Sequence, residues 1–207
     1  SGGSPAGGTY SGPGVSAGNF DPFVAGTGTH NITYTYTDGN GCANSAVSTI
    51  TVNVGPAVTL GTFTDVCEDA APFALTGGSP AGGTYSGPGV SGGNFDPSTA
   101  GAGAHNIVYT VTVLGCSGAD NSSLTVNALP NVTLQPFADV CIDVPAFALS
   151  GGSPAGGTYS GTGVSAGNFD PVTAGAGTHN IDYDYTDGNG CSNSASQSIT
   201  VNDLPTV

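Results

Sequence analysis

The sequence predicts an all-β protein made of tandem small antiparallel β-sandwiches. Three observations lead there. The block GGSPAGGTYSGPGVS begins at Gly2 and again at Gly77, and returns at Gly151 with Thr162 in place of a proline, so the chain repeats every 74 to 75 residues. Short segments alternate apolar and polar residues, and no segment shows the 3.6-residue spacing of an amphipathic helix. Gly 36 and Pro 14 among 207 residues, with only 7% charged residues, suit many short strands joined by tight turns.

In the full copy over residues 57–129, strands are expected at 58–63, 73–75 and 83–86, with a minor one at 94–95, each bounded by Gly, Pro or Asn clusters. The Asp-Pro of NFDP recurs at Asp21, Asp96 and Asp170 and reads as a turn start or a backbone cap. The clearest strand follows the histidine. Ile32, Tyr34 and Tyr36 alternate with Thr33, Thr35 and Thr37, and Ile181, Tyr183 and Tyr185 alternate with Asp182, Asp184 and Thr186, which puts Ile and Tyr on a buried face. DGNG turns then lead into a second strand with Ile50 and Val52, or Ile199 and Val201, pointing inward. In copy two this turn is one residue shorter, which argues against a precise site at its tip. Six or seven short strands in about 75 residues indicate an immunoglobulin-like sandwich. The expected divisions are a partial repeat at 1–53, complete repeats at 54–128 and 129–203, and the start of another at 204–207. The short Pro-containing joints favour a semi-rigid rod with about 35 Å per domain.

Composition excludes several functions. With no Lys or Arg and 14 acidic groups, the chain has no basic patch for nucleic acid or anionic membranes, and no lysine for phosphate binding or Schiff-base chemistry. No run of 18 apolar residues exists to form a membrane-spanning helix. From the absence of Met we expect that residue 1 is not a translation start and that the chain is a processed product or a window of something longer. No serine sits in a nucleophile elbow and no carboxylate pair recurs in all copies, so an enzyme is not expected. No cofactor or metal is expected either. The GxGxxG match at residues 87–92 lacks a following helix, and Asp182, Asp184 and Asp187 suggest calcium only in copy three. His30, His105 and His179 occur once per copy and read as rings hydrogen-bonded at the sandwich end.

The strings VC, FAL, GGSPAGGTYSGPGVS, NFDP, AGAGTHNI, YTDGNGC and TITVN resemble the immunoglobulin-like tandem repeats of very large secreted surface proteins of the Bacteroidetes, including adhesin-like cargo of type IX secretion. The resemblance covers essentially the whole chain, implies an extracellular or cell-surface address and carries no catalytic residues. Unlike antibody domains, the chain has no Trp.

Five cysteines lie at 42, 67, 116, 141 and 191. One pair per complete copy would join Cys67 to Cys116 and Cys141 to Cys191 and leave Cys42 unpaired. The other phase joins Cys42 to Cys67 and Cys116 to Cys141 across the joints. The expected function is a structural or adhesive shaft in an extracellular fibre or surface protein. Its partners are then neighbouring repeats, with identical chains in a fibre as a further option. One alternative is a carbohydrate- or surface-binding module, which would expose Tyr10, Tyr85 and Tyr159 as an aromatic platform. Another is a filament subunit completed by strand donation, with residues 204–207 as donor.

Overall fold

The computed structural model of the chain describes residues 2–207; Ser1, the first residue of the expected partial repeat, lies outside them. Repeat three shows the plan in full. Alternation along Gly177–Thr186 buries Ile181 and Tyr183 and turns Thr178, Asn180 and Asp184 outward. The turn after it returns the chain as Ser192–Asn202, in register from Thr186 opposite Ser192 to Gly177 opposite Val201. Thr158–Gly161 pairs antiparallel on one side of this hairpin. On the other side Val140–Cys141 runs parallel to the end of Ser192–Asn202, with Val140 opposite Val201 and Cys141 opposite Asn202. A second sheet of Phe147–Ala148, Asn168–Phe169 and Val164–Ser165 covers the hairpin. Leu149, Phe169, Ile181, Ile199 and Val201 form the core between them. The protein is all-β, built of tandem immunoglobulin-like sandwiches.

The repeated glycine block houses the hairpin tyrosine. The Tyr183 hydroxyl donates to the Pro154 carbonyl at 2.6 Å and accepts the Gly157 N–H at 2.7 Å. A Cβ on Gly152 would stand 2.6 Å from the Tyr183 ring, so only glycine lets backbone lie against it. Tyr34 makes the same pair of bonds with Pro5 and Gly8, and Tyr109 with Pro80 and Gly83. The Ser–Pro bonds inside the block are cis in all three copies.

Two local elements differ from the sequence expectation. The short VC segments at Val66–Cys67 and Val140–Cys141 are parallel strands, which two residues carry no periodicity to announce. NFDP opens a four-residue helix, Pro22–Ala25, Pro97–Ala100 or Pro171–Ala174, whose N-cap is the aspartate. Proline is preset for the first helical position, and the cap carboxylate accepts the free N–H groups of the first turn.

These caps predict an acid response. Side-chain hydrogen bonds from Ser98 and Thr99 hold the Asp96 carboxyl below its usual 3.8, and the Thr173 hydroxyl does the same for Asp170. The Cys42 and Asn40 N–H groups lower Asp38 at a hairpin tip. A carboxyl lowered on folding contributes stability that is complete above its unfolded value and is lost as pH falls through its folded value. Thermal melting should therefore be insensitive to these groups above about pH 5 and fall progressively below about pH 4, and Asp170→Asn should remove part of that slope. A melting temperature that is flat down to about pH 2.5 would contradict the assignment.

By packing, the chain divides into two compact units. One holds the chain up to Leu60 with Gly78–Thr84 and Tyr109–Asp120; the other holds Gly61–Gly77, Tyr85–Val108 and Asn121–Val207. The division falls inside repeat two. In the first unit, Thr9–Ser11, Gly28–Thr37 and Ala43–Val52 form the sheet of repeat one. Its apolar residues Tyr10, Val15, Phe20, Ile32 and Ile50 line an open groove of about 320 Å³. In the second unit the corresponding Phe95, Ile107 and Leu124 are fully buried, closed over by Phe63, Val66, Phe73 and Leu75. Repeat one has no such segment in this chain.

Candidate functional site: the ends of the repeats

Each repeat places one cysteine at the tip of its long hairpin. In repeat three the Asp187 carboxylate accepts the N–H groups of Asn189 and Cys191, each at 2.9 Å, while the Asp187 N–H donates to the Cys191 carbonyl. Asp38 arranges Asn40 and Cys42 in the same way. An aspartate in a DGNG turn thus holds the tip cysteine by its backbone, so the tip is a built site despite its variable length. Asp187 is engaged in the turn, and among the described residues no group of three or more His, Cys, Asp or Glu is placed to hold a metal.

A second cysteine sits at the opposite end, the base. Cys67 lies opposite Asn127, and Cys141 opposite Asn202. The frame is the same in both. The Asn127 carbonyl accepts the Glu68 N–H at 2.9 Å, and the Asn202 carbonyl accepts the Ile142 N–H at 2.9 Å.

This placement corrects the expected disulfides. Cys67 is bonded to Cys191, with 5.6 Å between Cα atoms and a sequence separation of 124, and Cys42, Cys116 and Cys141 are free thiols. Neither Cys67 to Cys116 nor Cys141 to Cys191 forms, and neither do the pairs across the joints. Within repeat three, Cys141 stands beside Asn202 while Cys191 precedes the start of the same strand, eleven residues away. At about 3.3 Å per residue that is roughly 35 Å, far beyond the Cα separation of about 4.4–6.8 Å that a disulfide spans. The register of the VC strand is the cause: pairing with Val201 and Asn202 puts its cysteine at the far end of the strand that Cys191 precedes. Instead the base cysteine of one repeat meets the tip cysteine of the next, and Cys191 is completely buried there.

The first unit repeats the arrangement without the bond. The Cys116 Sγ lies 3.8 Å from the carbonyl oxygen of Asn53, the counterpart of Asn127 and Asn202 at the end of repeat one. The first residues of repeat two are held to its own hairpin there. The Asp120 carboxylate accepts the Leu60 N–H at 2.8 Å, and Gly118 lies so close to the Pro56 carbonyl that a Cβ would collide with it. In repeat three the position of Gly118 is taken by Asn193, whose amide donates to the Pro130 carbonyl at 2.9 Å.

The other sequence-derived candidates have local partners. The Nε2 atoms of His30, His105 and His179 lie 2.8 Å from the carbonyl oxygens of Gly26, Gly101 and Gly175. Gly87 and Gly89 of the GxGxxG match face backbone and Ala100, where a Cβ would collide, and Val90–Ser91 is a strand. Tyr10, Tyr85 and Tyr159 are half-buried. Tyr10 packs on Tyr34 and Tyr159 on Tyr183, at ring-centroid distances of 4.8 and 4.7 Å, and Tyr85 packs on the core of repeat two.

No family model and no curated protein matches the chain. Among solved structures it is similar to a Ca²⁺-stabilised adhesin with which an Antarctic bacterium binds ice, at 16% identity and a TM-score of 0.38, over 86% of this chain and 58% of that one. It is also similar to immunoglobulin domains 1–5 of Sidekick-1, at 15% identity and a TM-score of 0.27, over 86% of this chain and 46% of that one. An I-band fragment of titin matches at 13% identity and a TM-score of 0.33, over 95% of this chain and 83% of that one. The chain thus spans about half the length of the first two.

Proposed function

We propose that the chain is a segment of a structural shaft in an extracellular fibre or cell-surface protein, with the repeats acting as serial spacers and without enzymatic activity. The observation that carries this reading is the Cys67–Cys191 bond, which ties one repeat to the next. A bond that fixes a junction serves a protein whose task is to hold distance. Disulfides of this kind persist in oxidising surroundings, which supports an extracellular address. The first residues of each complete repeat, at Pro56 and Pro130, lie against that repeat's own hairpin, and the resulting short joints support it as well. So does the lack of Lys and Arg, which leaves no site for trypsin-like proteases.

Small-angle scattering on the oxidised chain, together with a glycan array, tests the reading. We expect an extended particle that lengthens by a constant increment with each repeat added, and no selective glycan binding. A compact particle that binds one glycan tightly would replace the shaft with a binding module.

A further inference from the structure

The three free cysteines follow a rule that the one bonded pair supplies. The base cysteine of one repeat joins the tip cysteine of the next, as Cys67 joins Cys191. Under this rule Cys116, a tip cysteine, requires a base cysteine from repeat one, which has none in this chain; its sulfur lies against Asn53, beside the place where that cysteine would stand. Cys42 is the tip of repeat one and requires a base from a repeat before it. Cys141 is a base and requires a tip from a repeat after it. Under this rule each free thiol lacks the partner that another repeat would supply.

We propose that the base of repeat three, around Cys141 and Asn202, is a docking seat for the hairpin tip of another repeat of this kind, closed by a disulfide from Cys141 to that tip cysteine. The occupant is a second copy of this chain, entering with Cys42. Two independent observations carry the assignment. The seat has the same frame as the occupied one, with a parallel VC strand, the base cysteine opposite the strand-end asparagine, and an asparagine carbonyl bonded to the next N–H. Cys141 is exposed in it, whereas Cys67, the base cysteine of the occupied seat, is half-buried. The tip to be inserted is also preformed, since Asp38 fixes Cys42 as Asp187 fixes Cys191. This inference rests on the reading of the chain as serial repeats.

The bond needs an oxidant, here a low-molecular-weight disulfide such as oxidised glutathione. The Cys141 thiolate attacks one glutathione sulfur, forming a mixed disulfide and releasing one glutathione thiolate. The Cys42 thiolate of the second copy then attacks the Cys141 sulfur and releases the second, so two protein thiols are oxidised and one glutathione disulfide is reduced to two thiols.

The experiment is oxidation of the purified chain with glutathione disulfide at high protein concentration, followed by nonreducing electrophoresis, thiol alkylation and mapping of peptic peptides. We expect a ladder of covalent oligomers linked from Cys141 to Cys42, with Cys116 still open to alkylation. Cys141→Ser and Cys42→Ser should each abolish the ladder, and Cys116→Ser should leave it intact. The proposal is overturned by a ladder that survives Cys141→Ser, by Cys42–Cys42 or Cys116 linkages, or by chains that form Cys67–Cys191 yet stay monomeric. Absence of the Cys67–Cys191 bond itself would instead overturn the serial reading beneath it.

Discussion

Replacing Cys67 with serine should destabilise the second unit by about 2 to 5 kcal/mol, because the lost bond closes a loop of more than a hundred residues and such loops restrict the unfolded chain most. Cys191→Ser should cost the same, and the double variant no more than either single one, since both remove one bond. Cys116→Ser and Cys141→Ser should change little in the monomer, because neither sulfur is bonded there. Denaturant titrations of the oxidised variants, with hydrogen exchange to locate the loss, provide the measurement. A large loss from Cys116→Ser, matched by Cys67→Ser, would restore the intrarepeat pairing and remove the link between repeats.

Phe169→Ala should cost about 3–5 kcal/mol in repeat three. The ring is fully buried, meets Phe147 at a centroid distance of 5.8 Å and lies on the sheet that closes the hairpin core, so truncation leaves a cavity with walls on all sides. Phe20 is its counterpart in repeat one and supplies an internal control. It lines an open groove, and water already reaches its neighbours, so Phe20→Ala should cost about 1 kcal/mol or less. Hydrogen exchange read on peptic fragments separates the two repeats. Equal losses at the two positions would mean that repeat one has a closed core.

The two phenylalanines also mark what could be read from the amino acids. The repeat, the alternating hairpin and its buried Ile181, Tyr183, Ile199 and Val201 were legible, because ten-residue strands display a period of two. The tyrosine housing was only half legible. Its glycines pointed to close packing, but nothing in the sequence names Tyr183 as the ring they enclose. The base cysteine was not legible. Val140–Cys141 is too short to show a register, and its pairing opposite Val201 and Asn202 decides which end of the sandwich the sulfur occupies. Spacing then misled, because intervals of about 50 and 25 residues look like pairings while the true partner lies 124 away, one such interval plus a full repeat. Asp187 was legible as turn chemistry, and its service to Cys191 became visible only when both backbone bonds were in place.

The span of the bridge has a topological consequence. Residues 67–191 form a covalent ring, and cutting a ring once opens it without dividing it. A protease that severs any single peptide bond between the two sulfurs therefore leaves one molecule, and separation requires a second cut or a reductant. The ring is also longer than the repeat, with its cysteines 124 residues apart against a period of 74 to 75, so rings set at every repeat would overlap like links of mail. In such an array every peptide bond lies inside at least one ring, and isolated nicks do not sever the strand.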